Sequence, residues 1–174
     1  MVRKYPKTLS SGANNTVIAI SETEAGKLYS GDTRSDIGSE AEKMKYANKI
    51  NGLVVKFLNI DIDDETQNEM LVMERLYPMD YRAFEIVKRE LWYDVFEDEI
   101  KELHSAGFVH RDIKRPEDIE GMLYDNVLLT ANGLRLIDVG ISVIKESVGD
   151  KLFRKYVDED LKEIEDFKKY FLNR

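Results

Sequence analysis

The chain contains no cysteine, only three prolines and only two histidines in 174 residues. Without a thiol there is no disulfide framework, no thiolate nucleophile and no cysteine-ligated zinc. Positive charge is also in deficit, with 26 Lys and Arg against 34 Asp and Glu, a formal net charge of -8. Such a surface does not suit nucleic acid, which needs clustered cations to displace counterions from phosphates. A single nucleotide asks less, since one local cation and a metal ion suffice. No apolar run approaches the roughly 18 residues of a membrane span, and Met1 to Ser10 holds no apolar signal-peptide core. These absences lead us to expect a cytoplasmic protein without nucleic-acid or membrane partners, leaving leaderless export open. With no repeats and no proline-rich linker, 1–174 reads as one domain.

What is present falls into segregated elements. Thr16-Val17-Ile18-Ala19-Ile20 and Ala25-Gly26-Lys27-Leu28-Tyr29 read as paired antiparallel strands. A helix then runs to about Ile50, capped at Ser35 or Ser39 and ended by Asn51-Gly52. Leu53 to Ile62 and Glu69 to Leu76 are further strands. The acidic run Asp61 to Glu65 between them lacks the glycine and closing glutamate of a calcium loop and reads as a solvated turn. Asp80 to Ser105 turns helical, with Phe84, Val87, Leu91, Val95, Ile100 and Leu103 as the expected buried stripe, extended by Tyr81 and Trp92. Two short strands follow, Asn126 to Leu129 and Leu134 to Ile137, around the turn Thr130-Ala131-Asn132-Gly133. A closing helix from about Asp158 to Leu172 shows Leu161, Ile164, Phe167 and Phe171 on one face. The order predicts an α+β fold with a β-rich first half and a helical second half.

Both histidines lie within Leu103-His104-Ser105-Ala106-Gly107-Phe108-Val109-His110-Arg111-Asp112-Ile113-Lys114. Downstream comes Asn126-Val127-Leu128-Leu129, a turn, and Leu134-Arg135-Leu136-Ile137-Asp138-Val139-Gly140. Together these resemble the catalytic loop, the metal-binding asparagine and the Asp-Phe-Gly motif of the protein-kinase superfamily. The resemblance implies a two-lobed fold, with 1–76 as a small β-rich lobe and 77–174 as a reduced helical lobe. It implies ATP and Mg2+ as cofactors. Asp112 would orient and accept the proton of a substrate hydroxyl, Lys114 would neutralise the transferred phosphate, and Asn126 and Asp138 would hold magnesium.

In the first half the resemblance is thinner. Leu9 to Val17 is similar to a glycine-rich loop reduced to Gly12, and Lys27 takes the place of the strand lysine on the α- and β-phosphates. Either Glu40 or Glu42 would orient Lys27. Glu40 is preferred, because Glu40, Met44 and Ala47 fall on one helical face. Val72-Met73-Glu74-Arg75-Leu76 resembles the strand and hinge beside the adenine, where backbone groups of Glu74 and Leu76 would pair with the base. A phosphate-binding P-loop is absent from the sequence.

Three departures bear on function. Asp112 and Asn126 lie fourteen positions apart, where the family motif has five, so Arg115 to Asp125 carries an acidic insert that must bulge out and return, as a flap or an extra metal ligand. After Gly140 there is no Ala-Pro-Glu, and the closing helix resembles at best the one beneath the catalytic loop, with Asp160 or Asp166 as its anchor. Val139 replaces the usual phenylalanine. These features are similar to minimal bacterial kinases by analogy of fold. The expectation is a Ser/Thr-type protein kinase, Lys114 lying two residues after Asp112, with a protein substrate or regulatory partner. The alternative is a pseudokinase that binds nucleotide or scaffolds a partner without turnover. A small-molecule kinase fits Arg111 and Lys114 less well.

Overall fold

The computed structural model describes residues 8–11, 15–29, 36–115 and 122–173 and combines α-helices with antiparallel strands. Gly12 and positions 116–121 of the insert lie outside the described residues. Five strands, β1 (Ser10–Ser11), β2 (Asn15–Ala19), β3 (Glu24–Tyr29), β4 (Phe57–Ile62) and β5 (Glu69–Glu74), form an antiparallel sheet in the order β1-β2-β3-β5-β4. β-Branched Thr16, Val17 and Ile18 suit the pleat, and Val17 stands opposite Lys27 in the register. Alternation along β3 sends Ala25, Lys27 and Tyr29 to one face and Gly26 and Leu28 to the other. On that second face Ile18, Met70 and Val72 form a small cluster against Ile20, Leu28 and Leu58. A Cβ at Gly26 would come within 2.8 Å of Met70 Sδ, so the methionine side chain would have to shift to admit one.

Helix α1 (Ile37–Asn48) covers the other face. Its cap is Asp36, whose carboxylate accepts from Gly38 N at 3.0 Å, and not Ser39, one of the two caps expected; Ser35, the other, lies outside the described residues, and an acceptor just before the first free N–H groups is what the helix start needs. Glu40, Ala41, Met44 and Ala47 are its buried residues. After Asn51-Gly52 the chain does not enter a strand at Leu53. Val54 instead makes an isolated parallel bridge to Leu136, with Val55 N donating to Leu136 O and Leu136 N to Leu53 O, each at 2.8 Å.

A 3-10 turn (Tyr81–Ala83) precedes helix α2 (Ile86–Ser105). Its buried face is Arg89, Tyr93, Phe96, Ile100 and Leu103, which corrects the expected stripe. Val87, Leu91 and Val95 are exposed at 66, 64 and 58%. Steps of four drift by 40° each, so 87, 91 and 95 trace a separate face, and the five-residue step from Val95 to Ile100 crosses to the opposite side. Buried Arg89 caps the far end of the molecule, donating to the carbonyls of Phe84, Phe171 and Asn173 at 2.9 to 3.1 Å.

Short strand β6 (Phe108–Val109) follows α2, then the hairpin β7 (Val127–Thr130) and β8 (Gly133–Leu136). The two-residue turn fits because Gly133 takes φ +97°. β9 (Val143–Ile144) pairs back to β6, and α3 (Lys145–Val148) leads into α4 (Asp150–Phe171), which starts eight residues before the expected Asp158. α4 buries Phe153, Asp160, Ile164, Phe167 and Phe171 against Tyr93, Phe96 and Tyr124. No helix among the described residues is long and apolar enough to cross a membrane.

Candidate active site

β3, α1 and the segment after β8 bring three distant charges together. Lys27 Nζ lies 2.8 Å from Glu40 Oε1 and 3.3 Å from Asp138 Oδ1. Lys27 and Glu40 are 5 and 2% exposed, so the pair is held in a low dielectric where Coulomb attraction is little screened. Tyr29, two residues on from Lys27 and on the same face, donates its hydroxyl to Glu40 Oε2. Burial and the Glu40 charge push the Tyr29 phenol up, so it stays a donor. Glu42 points elsewhere, exposed and 3.0 Å from Lys45. Lys43 donates to Gly140 O at 2.9 Å, a second tie from α1, and burial pulls its ammonium pKa down.

Asp138 has φ +57°, a left-handed backbone that a non-glycine residue adopts at a cost of order 1 kcal/mol or more. The conformation folds Gly140 N back onto Asp138 Oδ1 at 3.3 Å. Burial raises the Asp138 pKa, but Lys27 and the Gly140 N–H outweigh it, so the carboxyl sits below its ordinary value and is ionised at neutral pH. Among the described residues its Oδ2 accepts no hydrogen bond. Val139, in place of the expected ring, is fully buried in the main core.

The segment between β6 and the insert is built from backbone donors. Asp160, 0% exposed on α4, accepts from His110 N at 3.0 Å and Arg111 N at 2.9 Å, with His104 Nε2 3.0 Å away. Of the two anchors expected, Asp160 holds this loop; Asp166 instead meets the Lys114 ammonium at 2.9 Å. Arg111 takes φ +71°. His110 Nε2 lies 2.9 Å from Ile137 O, while its Nδ1 faces Asp112 N at 3.2 Å, so the imidazole ties the loop to the strand end just before Asp138. That pairing assigns the proton to Nε2. Asn126 Nδ2 donates to both Asp112 O and Asp112 Oδ2, at 2.9 and 3.0 Å. Burial holds the Asp112 pKa above its ordinary value despite the nearby Arg115 and His110.

The fourteen-residue spacing is accommodated at the base of the insert. Arg115 N donates to Leu123 O, and Arg115 Nε lies 2.6 Å from Asp125 Oδ1, so the chain leaves and returns at one point and Asn126 reaches Asp112. Glu74 is committed to structure, its carboxylate accepting from Lys56 N at 2.9 Å and from Arg135. Its N–H donates to Lys56 O, whereas Leu76 N donates to no group among the described residues.

Tyr29, Lys43, Arg115 and Glu163 carry no signal in the sequence, because their roles depend on partners distant along the chain. Glu163 Oε2 accepts from both Ile113 N and Lys114 N at 3.0 Å. Burial pushes its pKa from the ordinary 4.5 up to about 7, against the pull of those N–H groups. Between these two values the folded chain keeps a proton that the unfolded chain has lost, so stability falls as pH rises through that window and is level above it. Glu163→Gln keeps the acceptor and removes the titration. Thermal melts at pH 5 and 8 should therefore show the variant gaining on wild type at the higher pH; parallel shifts in both would rule this out.

The donor set suits a magnesium nucleotide. Asp138 offers an ionised carboxylate and Asn126 an amide oxygen, while no group of three or more His, Cys, Asp or Glu that could hold a metal ion occurs among the described residues. Mg2+ commonly takes one or two protein oxygens and completes its shell with phosphates and water. No protein-family model matches the chain, and no curated protein matches it.

Proposed function

We propose that the chain is an ATP and Mg2+-dependent phosphotransferase of the protein-kinase type, with a two-lobed kinase-like fold and a Ser or Thr hydroxyl of a protein as acceptor. The observation that carries this reading is Lys27 Nζ held between Glu40 and Asp138, residues 13 and 111 positions away, beside the Asn126–Asp112 pair. A lysine so oriented is suited to the α- and β-phosphates. Asp138 would hold magnesium, which supplies neutralisation of phosphate charge, and Asn126 Oδ1 is the further oxygen offered beside it. The acceptor oxygen attacks the γ-phosphorus as the bond to the β,γ-bridging oxygen breaks, ADP leaves with that electron pair, and the acceptor proton passes to Asp112. The raised Asp112 pKa favours taking it. The backbone N–H of Leu76 offers a donor to the adenine.

A second reading, a nucleotide-binding scaffold without turnover, is favoured by one observation: the Lys114 ammonium is paired with Asp166. One experiment separates the two. Purified chain is incubated with γ-labelled ATP and Mg2+, alone and with a generic protein substrate, beside Asp138→Ala and Lys27→Ala. Transfer by wild type, falling by about 10²-fold or more in each variant, is expected. No transfer, with Mg-ATP still raising the melting temperature, would favour the scaffold. Undiminished transfer in Asp138→Ala would refute the metal assignment.

A further inference from the structure

One charged group at this site has no part in the scheme above. Arg115, half-buried, lies between the acidic end of the insert and the catalytic pair. Its Nε is fixed by Asp125 Oδ1 at 2.6 Å, and its Nη2 lies 3.5 Å from Asn126 Oδ1. That oxygen is the only side-chain atom of Asn126 able to ligate a cation, since the Nδ2 amide is a donor and is turned to Asp112. Arg115 also acts electrostatically on both Asp112 and Asp138. A guanidinium cannot shed its charge at working pH and would repel a divalent ion placed a few ångströms away. Its planar fork suits phosphate oxygens.

Resting on the phosphotransfer reading, we propose that Arg115 is a resident cation of the site, standing against Asn126 Oδ1 where a second divalent ion would otherwise bind. The centre then needs only the one ion at Asp138, and Arg115 neutralises the transferred phosphate. The insert gains a physical role. It returns the chain so that Asp125 clamps the guanidinium at its base, where Arg115 N also meets Leu123 O.

Manganese stoichiometry tests this without relying on turnover. Mn2+ is titrated by electron paramagnetic resonance into the full chain saturated with AMP-PNP, a hydrolysis-resistant ATP analogue. Wild type should bind one Mn2+ tightly. Arg115→Ala and Arg115→Gln should bind two, and Arg115→Lys one. Circular dichroism reports which variants fold, and Gln retains a donor to Asp125 should Ala disrupt the clamp. In transfer assays Arg115→Ala should lose about tenfold or more at low Mg2+ and recover part of it as Mg2+ rises. Equal stoichiometry and affinity in wild type and both neutral variants, with AMP-PNP bound, would overturn the Arg115 proposal alone. Failure of wild type to bind AMP-PNP at all would remove the phosphotransfer reading and this inference with it.

Discussion

Asp160→Ala is expected to lower the unfolding free energy by about 3–5 kcal/mol and, on the proposed function, to abolish phosphate transfer with it. The carboxylate is fully buried and collects three donors, the N–H groups of His110 and Arg111 and His104 Nε2. Hydrogen bonds to a charged acceptor contribute about 1.5–3 kcal/mol each, and donors left buried without a partner cost a comparable amount. Arg111 adds to the effect, because its left-handed backbone persists only while neighbours enforce it. With Asp160 gone, the loop would relax and Asp112 would drift from Asn126. Small domains hold a total of about 5–15 kcal/mol, so the variant would be marginal. Urea denaturation measures it, and a loss below about 1 kcal/mol would show that Asp160 does not hold the loop. Asp160→Asn separates charge from shape. It keeps one acceptor but turns an NH2 toward a donor, and should recover only a minor part of the loss.

Asp160 also shows what the sequence discloses and what it hides. Its position on the buried stripe Phe153, Asp160, Ile164, Phe167 and Phe171 is an anomaly visible in a helical projection, a carboxylate where only apolar groups belong. That it holds the loop is expected only from the resemblance, which leaves Asp160 and Asp166 open; the stripe itself does not show the partners, which lie 49, 50 and 56 residues earlier. The same division runs through the molecule. β2, β3 and the β7–β8 hairpin are legible because β-branched runs and an Asn-Gly turn act over a few residues. The face of α1 is legible from Glu40, Met44 and Ala47. The face of α2 is not, because its exposed Val87, Leu91 and Val95 make an apolar stripe as regular as the buried one. Strands β6 and β9 are two residues each and too short to show a period. The start of α4 is hidden because only Phe153 is buried in its first two turns. At the site, residues adjacent in sequence, such as His110 to Lys114, announce themselves together. Tyr29, Arg115 and Glu163 acquire meaning only from folding, which sets them beside Glu40, Asn126 and the Lys114 backbone.

Glu40 gives the sharpest contrast between neighbours. Glu40→Ala is expected to cost about 3–5 kcal/mol, whereas Glu42→Ala should stay within about 0.5 kcal/mol. Removing Glu40 leaves the Lys27 ammonium buried with Asp138 as its one remaining carboxylate among the described residues and strips the Tyr29 hydroxyl of its acceptor. Glu42 loses only an exposed contact to Lys45. A double replacement then separates stability from chemistry. Lys27→Met with Glu40→Leu exchanges a buried ion pair for apolar groups of similar length, a change that is often neutral or stabilising because neither charge has to be desolvated. Asp138, with its side chain 32% exposed, can regain water when Lys27 is lost. The double variant should therefore recover the part of the Glu40→Ala loss that comes from the stranded ammonium, though not the Tyr29 hydrogen bond, while labelled transfer stays absent. Urea titration and the transfer assay on the same preparations decide it. If transfer returned together with stability, Lys27 and Glu40 would be a structural pair and the nucleotide would have to be held by other groups.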